Sequence, residues 1–257
     1  MLVDYHVHAL AHGEYSYSEE WINQYLDNAC RRGVKEIGFS EHDEFISLVN
    51  FDLFNKMQTV RYNDINLRLG IELDYIPGRE KEIKEIILQR PYDYVIGSVH
   101  YIEGWGFDHP DFQGGFAERD IDEIYAKYTD ILMEMVQSGC FDVVGHIDLV
   151  KIWGHRPRKR SSLYYLEPVL RAIKKYNLAV EINSAGLRKK VAELYPAADL
   201  VNMMFSYDIP IIFGSDAHHP DQIGEGLAAA YQSARQAGYR YLVRFDQHNK
   251  IITPLDS

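Results

Sequence analysis

The sequence predicts an α/β protein in which a strand–helix unit repeats about seven times and closes into a barrel. Three observations carry that prediction. Short runs rich in Val and Ile alternate with longer amphipathic stretches, the pattern of parallel strands covered on both faces. No linker, composition break or other repeat interrupts the alternation, so residues 1–257 are expected to form one domain, a length that a single α/β barrel occupies. Finally, His, Asp and Glu gather at the C-terminal ends of the runs, which is the end where barrel active sites lie.

The strands are expected at Leu2–His8, Val34–Ser40, Leu67–Leu73, Tyr94–His100, Asp142–Ile147, Ala179–Asn183 and Pro210–Gly214. After the first, Ser16 and Glu19 have capping-box spacing, and Trp21, Tyr25, Ala29 and Cys30 form an apolar stripe. Arg31 and Arg32 suit the negative end of that helix, and Gly33 suits its left-handed stop. After the fourth strand comes a long aromatic and glycine-rich connection, Glu103 to Arg119, followed by a helix over Ile121–Gly139. That helix should bury Ile121, Ile124, Tyr125, Tyr128, Ile131 and Leu132. The connection after the fifth strand, Gly154 to Ser162, is the densest basic patch in the chain. A last helix should begin after Pro220 and stop near Gly238. Long connections of the first kind are commonly binding loops or lids.

Bulk composition excludes several roles. A formal charge of −11 argues against a non-specific nucleic-acid binder, which needs basic surface to neutralise phosphates. It leaves room for a locally positive pocket. Hydrophobic residues at 46% suffice for a large core. Cys30 and Cys140 read as reduced core cysteines, too few for a disulfide framework. There is no basic n-region at the start and no apolar run of membrane-spanning length, so a soluble cytoplasmic protein is expected, without a membrane partner.

The strand ends hold the chemistry. The first ends in His6 and His8, with His12 in the loop behind; the second runs into "FSEHDE" with His42; the third carries Glu72 in "GIELDY". The fourth ends at His100, the fifth at His146, and the seventh runs into "FGSDAHH" with Asp216, His218 and His219. Period-two alternation puts His6 and His8 on one strand face. A single His at a strand end is usually a hydrogen-bonded structural residue; repetition strand after strand is what points to metal. Imidazole and carboxylate without thiolate suit Zn²⁺, Mn²⁺ or Fe²⁺. Nine such residues exceed the three protein ligands of one catalytic zinc and fit two or three ions, a carboxylate bridging. His109, His155, His219 and His248 are expected to stand outside this set.

With those residues assembled, the sequence resembles the polymerase and histidinol phosphatase family of metal-dependent phosphoesterases. The H-x-H strand, a further early His, a second-strand His, a Glu, two single His and a terminal D-x-H occur in order from His6 to His218. The resemblance implies a distorted seven-stranded TIM-like barrel with three divalent ions at the C-terminal strand ends. It implies that His6, His8, Glu72 and Asp216 hold one ion, that Glu72 bridges to a second held by His100 and His146, and that His12, His42 and His218 hold the third. Within the family the chain looks like the stand-alone histidinol-phosphatase branch, on "EINSAGLRK" (181–189), "ELYP" (193–196), "WGFDHP" (105–110) and "GHRP" (154–157). This resemblance makes Arg188 a phosphate ligand and Arg156, from the basic loop, a second candidate.

Charge favours a phosphate ester. Three divalent ions bring about +6, and two carboxylates with a bridging hydroxide remove about 3, leaving positive charge for a phosphate dianion. The expected reaction is in-line attack of a metal-bridging hydroxide on phosphorus, with Glu72, Asp216 and Arg188 in the reacting site and L-histidinol phosphate as substrate. Asp43, Glu44, Trp105 and Asp108 are candidates to line the non-phosphate end, an acidic or aromatic wall being suited to a cation. Other readings stay open: a phosphatase of the same family acting on a nucleotide, a phosphotyrosine or a sugar phosphate, an amidohydrolase-type hydrolase, or a non-catalytic metal-binding module. Amidohydrolase sites often use a lysine, which no strand end here supplies. Oligomeric state is not legible.

Overall fold

In a computed structural model, which describes residues 1–60 and 64–255, seven parallel strands form a nearly closed barrel. They are β1 (Leu2–Val7), β2 (Val34–Phe39), β3 (Asn66–Asp74), β4 (Tyr94–Ser98), β7 (Val143–Val144), β8 (Ala179–Asn183) and β9 (Ile211–Gly214), hydrogen-bonded in that order. Two short strands, β5 (Tyr101–Ile102) and β6 (Trp105–Gly106), form a hairpin after β4. Each expected strand is present. β7 is shorter than expected because Gly145 and His146 leave the strand, although the Gly145 N–H still donates to the Gly97 carbonyl at 2.9 Å.

The barrel closes between β1 and β9 through a few bonds. The His8 N–H reaches the Ala217 carbonyl at 2.8 Å, and the Asp4 carboxylate accepts from the Ser215 and Gly224 N–H groups, each at 2.8 Å. Asp4 thereby supplies the seam with a side-chain substitute for missing strand pairs, satisfying donors that burial would otherwise leave unpaired. Inside the barrel, Tyr94 donates to the Tyr5 carbonyl at 2.6 Å and fills the space left by two glycines. A Cβ on Gly38 would stand 1.9 Å from the Tyr94 hydroxyl, so only glycine fits there.

Helices α1 (Glu19–Arg31), α2 (Phe51–Val60), α3 (Glu80–Ile87), α4 (Ile121–Gln137), α5 (Ser162–Tyr176), α6 (Ala198–Ser206) and α7 (Leu227–Ala237) run between and after the strands. α4 buries all six residues of its expected stripe. Each large apolar side chain so buried contributes about 1.5–3 kcal/mol relative to exposure. α1 departs in detail. Its cap is Ser18, which accepts from the Trp21 N–H at 3.2 Å, and not Ser16. Its buried face is Ile22, Tyr25, Leu26 and Ala29, and Cys30 points to solvent, so Cys30 is not a core cysteine. Cys140 is buried. Gly33 follows α1 with φ +75°, the expected left-handed stop. α7 starts at Leu227, later than expected, because Pro220–Gln222 forms a separate 3₁₀ turn and Gly224 and Gly226 both take positive φ. It ends before Gly238 at φ +118°.

A C-terminal hairpin, β10 (Tyr241–Asp246) and β11 (Asn249–Pro254), covers the barrel end opposite the strands' C-termini; the sequence reading had no counterpart for it. Phe245 packs on Tyr94 (centroids 5.8 Å apart), and Arg244 reaches the buried Glu36 carboxylate at 2.8 Å. Among the described residues no helix is long and apolar enough to cross a membrane.

Candidate metal centre

Glu72 sits in β3, 1% exposed, and its two oxygens face different histidines. Oε2 stands 3.0 Å from His42 Nδ1, 3.3 Å from His6 Nε2 and 3.4 Å from His8 Nε2. Oε1 stands 3.1 Å from His146 Nε2 and 3.9 Å from His100 Nε2, and accepts from Ser98 Oγ at 2.5 Å. Asp216 Oδ1 completes the inner ring, 3.5 Å from His8 Nε2 and 4.0 Å from His6 Nε2. Asp216 takes φ +54°, an uncommon left-handed conformation for a residue with a side chain, which turns its carboxylate toward β1 instead of continuing β9.

These spacings fit a ligand polyhedron better than a hydrogen-bond network. Four ligands each about 2.0–2.1 Å from one zinc stand about 3.3 Å from one another. Moreover, His6 Nε2, both nitrogens of His8, His42 Nε2 and His146 Nδ1 are buried without a hydrogen-bond partner. Buried polar atoms are normally paired, and unpaired ones in a native site signal an ion or water. The donor atoms fall into four overlapping groups: His6–His8–Glu72, Glu72–His100–His146, His6–His146–Asp216 and His8–His42–His218. Sharing of His6, His8, His146 and Glu72 between groups is what a multinuclear site requires. The residues present therefore fit divalent ions.

Three rings are held by their far nitrogen. His6 Nδ1 faces Glu181 Oε1 at 2.8 Å, His100 Nδ1 is paired with Asp74, and His218 Nδ1 bonds the Asp216 carbonyl at 3.1 Å. A donor bond from one ring nitrogen fixes the tautomer and leaves the other as a lone-pair ligand. The sequence reading had missed Glu181, on the one strand that seemed to bring no ligand. It is fully buried, and its second oxygen accepts from the His146 N–H at 3.0 Å, so one carboxylate positions ligands from two strands. The signal was available: "AVEIN" places Glu181 and Asn183 two apart in an apolar strand, on one face. Gly214 makes the reach possible, since a Cβ there would stand 2.0 Å from Glu181 Oε1. Glu41 was missed too. Its oxygens accept from the Ala9 and Leu10 N–H groups at 2.7 and 3.1 Å, fixing the loop after β1, and burial pushes its carboxyl up to about 7.

Electrostatics hold the two carboxylates ionised and divide the rings, His6, His42 and His100 being raised and His8 and His218 lowered. Burial opposes charge on Glu72 and Asp216, but His6 together with their other histidine neighbours holds both well below the usual carboxylate range. Burial likewise opposes charge on His6, which Glu181, Glu72 and Asp216 nonetheless raise well above the usual histidine value. His8 is pushed well down by burial and by its neighbours His42 and His218, and burial takes His218 down to about 4.

The cluster floors a cavity of about 740 Å³, a size suited to a small ligand. His12 is at its mouth, 62% exposed, with its ring 4.7 Å from that of His218 and 5.6 Å from that of His42. The group with His42 and His218 is completed by His8, and His12 stands outside it. Arg188 lines the cavity. Its Nη2 donates to the Ser215 and Asp216 carbonyls at 2.8 and 3.1 Å, while Nη1 is buried without a hydrogen-bond partner. Lys189, beside it, also lines the cavity.

Arg156 is not brought to the cavity wall. It pairs with Glu193 at 2.7 Å and bonds the His155 carbonyl, because the basic loop folds back on the strand-six connection. Trp105 also turns from the cavity into the core of its own loop, where it packs on Phe116 and donates to the Phe112 carbonyl. Phe112 and Tyr101 stand on the wall where Trp105 was expected. Asp43 lines the cavity, paired with Arg79. Of the histidines expected outside the cluster, His109 lines the outer cavity and caps the turn at Pro110, and His219 caps the turn at Pro220.

Known proteins share this architecture. A histidinol phosphate phosphatase from Lactococcus lactis, crystallised with Zn, L-histidinol and phosphate, superposes with a TM-score of 0.80 over 97% of this chain and 98% of that one, at 23% identity. A histidinol-phosphatase from the same organism is 25% identical over 95% of this chain and 94% of its own. A probable histidinol-phosphatase of Deinococcus radiodurans is 42% identical over 177 residues, 68% of this chain and 66% of that relative's length. The family model described as the PHP domain matches residues 4–185, the stretch that carries the H-x-H strand, Glu72, His100 and His146. On that match, and with the seven-stranded barrel that bears those residues, the chain belongs to the PHP domain family.

Proposed function

We propose that the protein is a metal-dependent histidinol-phosphatase, hydrolysing L-histidinol phosphate to L-histidinol and inorganic phosphate. The observation that carries this reading is Arg188 Nη1, buried without a hydrogen bond and met only by Glu225 Oε2 at 3.8 Å, beside a Glu72-centred donor cluster. The names of the two relatives, and the zinc, L-histidinol and phosphate bound in the solved neighbour, support it.

The residues divide the work. His6, His8, Glu72 and Asp216 would hold one ion, with Glu72 Oε1 turned to His100 and His146 for a second, and His42 and His218 with His8 or His12 for a third. Zinc, manganese and iron all suit this donor set. When bound, such ions activate water and neutralise phosphate oxygens. Water then adds to phosphorus, the phosphorus–ester oxygen bond breaks, and the alcohol leaves carrying a proton. Arg188, its Nη2 fixed on the β9 end, presents Nη1 to a phosphate oxygen and is pre-ordered before the charge develops. Glu181, Asp74 and the Asp216 carbonyl keep His6, His100 and His218 in the ligating orientation.

The test is phosphate release by zinc- or manganese-loaded protein. The kcat/KM for L-histidinol phosphate should exceed those for p-nitrophenyl phosphate, AMP and phosphotyrosine by at least about tenfold, as several contacts worth about 1–3 kcal/mol each would give. Arg188→Ala should keep its metal and lose about 2–4 kcal/mol in kcat/KM, with Arg188→Lys recovering part. A nucleotide or phosphotyrosine winning the comparison would overturn the substrate, and unchanged kinetics in Arg188→Ala would overturn the arginine's role.

A further inference from the structure

The cavity wall carries five carboxylates outside the donor cluster, and their partners separate them. Asp74 is committed to His100, Asp43 to Arg79 and Glu14 to the His12 N–H, while Glu44 is exposed to solvent. Asp108, in the loop between β6 and α4, is half-buried and has neither a hydrogen bond nor an ion pair among the described residues. A carboxylate drawn partly out of water without a partner is costly, and in a binding cavity it is a vacancy for a cation.

A second group shares the wall. Tyr195, 1% exposed, lines the same cavity, and its hydroxyl has no partner in the protein. Behind it, the Tyr128 hydroxyl and Asp148 Oδ1 are buried and unpartnered as well. Burial first, and then Asp148 and less strongly Asp108, raise both phenols, with Asp216 also acting on Tyr195, so both carboxylates lie within electrostatic reach of both hydroxyls. They come from four elements: the β6–α4 loop, α4, the turn after β7 and the connection after β8. Asp148 is already neutralised by Lys151 at 2.7 Å, whereas Asp108 has no ion pair and only the charge of the nearby His100 ring to answer it. One free carboxylate and hydroxyls with open lone pairs accept N–H donors; they repel a second anion.

We propose that Asp108 and Tyr195 form a recognition subsite for a protonated nitrogen, an ammonium or imidazolium, on the alcohol half of the phosphate ester. This rests on the phosphatase reading for its biological meaning. It explains how a cavity that meets every phosphate monoester with the same metals and arginine selects among them: the substrate is dipolar, anion to Arg188 and cation to Asp108. Discrimination of this kind is strong because rejecting the wrong ester leaves buried polar groups unpaired.

The experiment compares the zinc-loaded protein with Asp108→Asn, Asp108→Glu and Tyr195→Phe, on L-histidinol phosphate and the uncharged ester p-nitrophenyl phosphate. Calorimetric titration of L-histidinol alone and a zinc assay accompany each variant. In Asp108→Asn the ratio of the two kcat/KM values should fall at least tenfold, through KM, with zinc content kept and L-histidinol bound at least tenfold more weakly. Asp108→Glu should recover part, and Tyr195→Phe should lower the ratio about threefold. An unchanged ratio, or a parallel loss on both esters, would overturn the subsite, the first meaning that only water occupies it and the second that Asp108 acts through His100. If the unmodified protein hydrolyses neither ester, the phosphatase reading alone has failed. The L-histidinol titration then decides the subsite: weaker binding in Asp108→Asn supports it, and equal binding refutes it.

Discussion

Glu181→Gln isolates the contribution of a residue that touches no ion. Glu181 receives two donors: His6 Nδ1 at 2.8 Å and the His146 N–H at 3.0 Å, all of these groups being buried. A carboxylate has two acceptor oxygens for them. Glutamine keeps the shape but has one acceptor and one NH₂, so one of the two donors faces another donor. Leaving a buried donor unsatisfied costs about 1–3 kcal/mol. Losing the carboxylate behind a ligating imidazole lowers metal affinity by about 10–100-fold, equivalent to about 1.4–2.7 kcal/mol. The two effects concern the same bonds and overlap, so a loss of about 2 kcal/mol is expected. The assay is zinc titration against a competing chelator, with folding checked by circular dichroism. Asp74→Asn, the analogous change behind His100, serves as a second case and should weaken zinc by a similar factor. Zinc affinity within twofold of the unmodified protein in Glu181→Gln would refute the argument that the carboxylate positions His6 for an ion.

Other outcomes follow from the same geometry. Glu72→Ala should lose more bound metal than any single His→Ala change, measured by elemental analysis, because both of its oxygens face histidines of different groups. Gly214→Ala should reproduce the Glu181→Gln loss of zinc affinity, since its Cβ would meet Glu181 Oε1 at 2.0 Å, and should also destabilise the fold by about 1–3 kcal/mol of overpacking in thermal unfolding. Chelation of tightly bound ions should lower Tm by about 8 °C or more, on the basis of about 4 kcal/mol of linkage at a thousandfold excess over Kd and about 2–4 °C per kcal/mol. Restoring zinc or manganese should bring the Tm back.

The barrel was legible in the amino-acid pattern, and so was the gathering of eight of the nine expected donors, His12 being the one that stands outside the donor groups. Strands buried on both faces must be apolar throughout, so "VDYHV", "VIGS" and "AVEIN" announce themselves, and their ends follow within a residue or two. Because all seven strands are parallel, their C-terminal ends share one face, and His6, His8, His42, Glu72, His100, His146, Asp216 and His218 meet without further information. Local choices between near-equals were less legible. Ser16 and Ser18 are both sound caps, and the second wins because the helix must bury Ile22 and Leu26 against the barrel.

Which side chains support the donor residues and which line the cavity depended on tertiary contacts. The tip of the C-terminal hairpin, Gln247 and His248, takes positive φ without glycine, held there by bonds to Asp93, a residue more than 150 positions away. No turn signal exists in "DQHN" for a local reading to find. Arg156, Trp105 and Asp43 read as binding residues because they sit in loops after the right strands. Glu193, Phe116 and Arg79 claim them, and those competitors are distant or unmarked in sequence. Asp108 and Tyr195 show the converse: nothing in the chain distinguishes a paired carboxylate or phenol from an unpaired one. Pairing is a property of three-dimensional neighbours, and hydrogen bonds act over about 3 Å, so the assignment of partners waits until the barrel has brought the loops together.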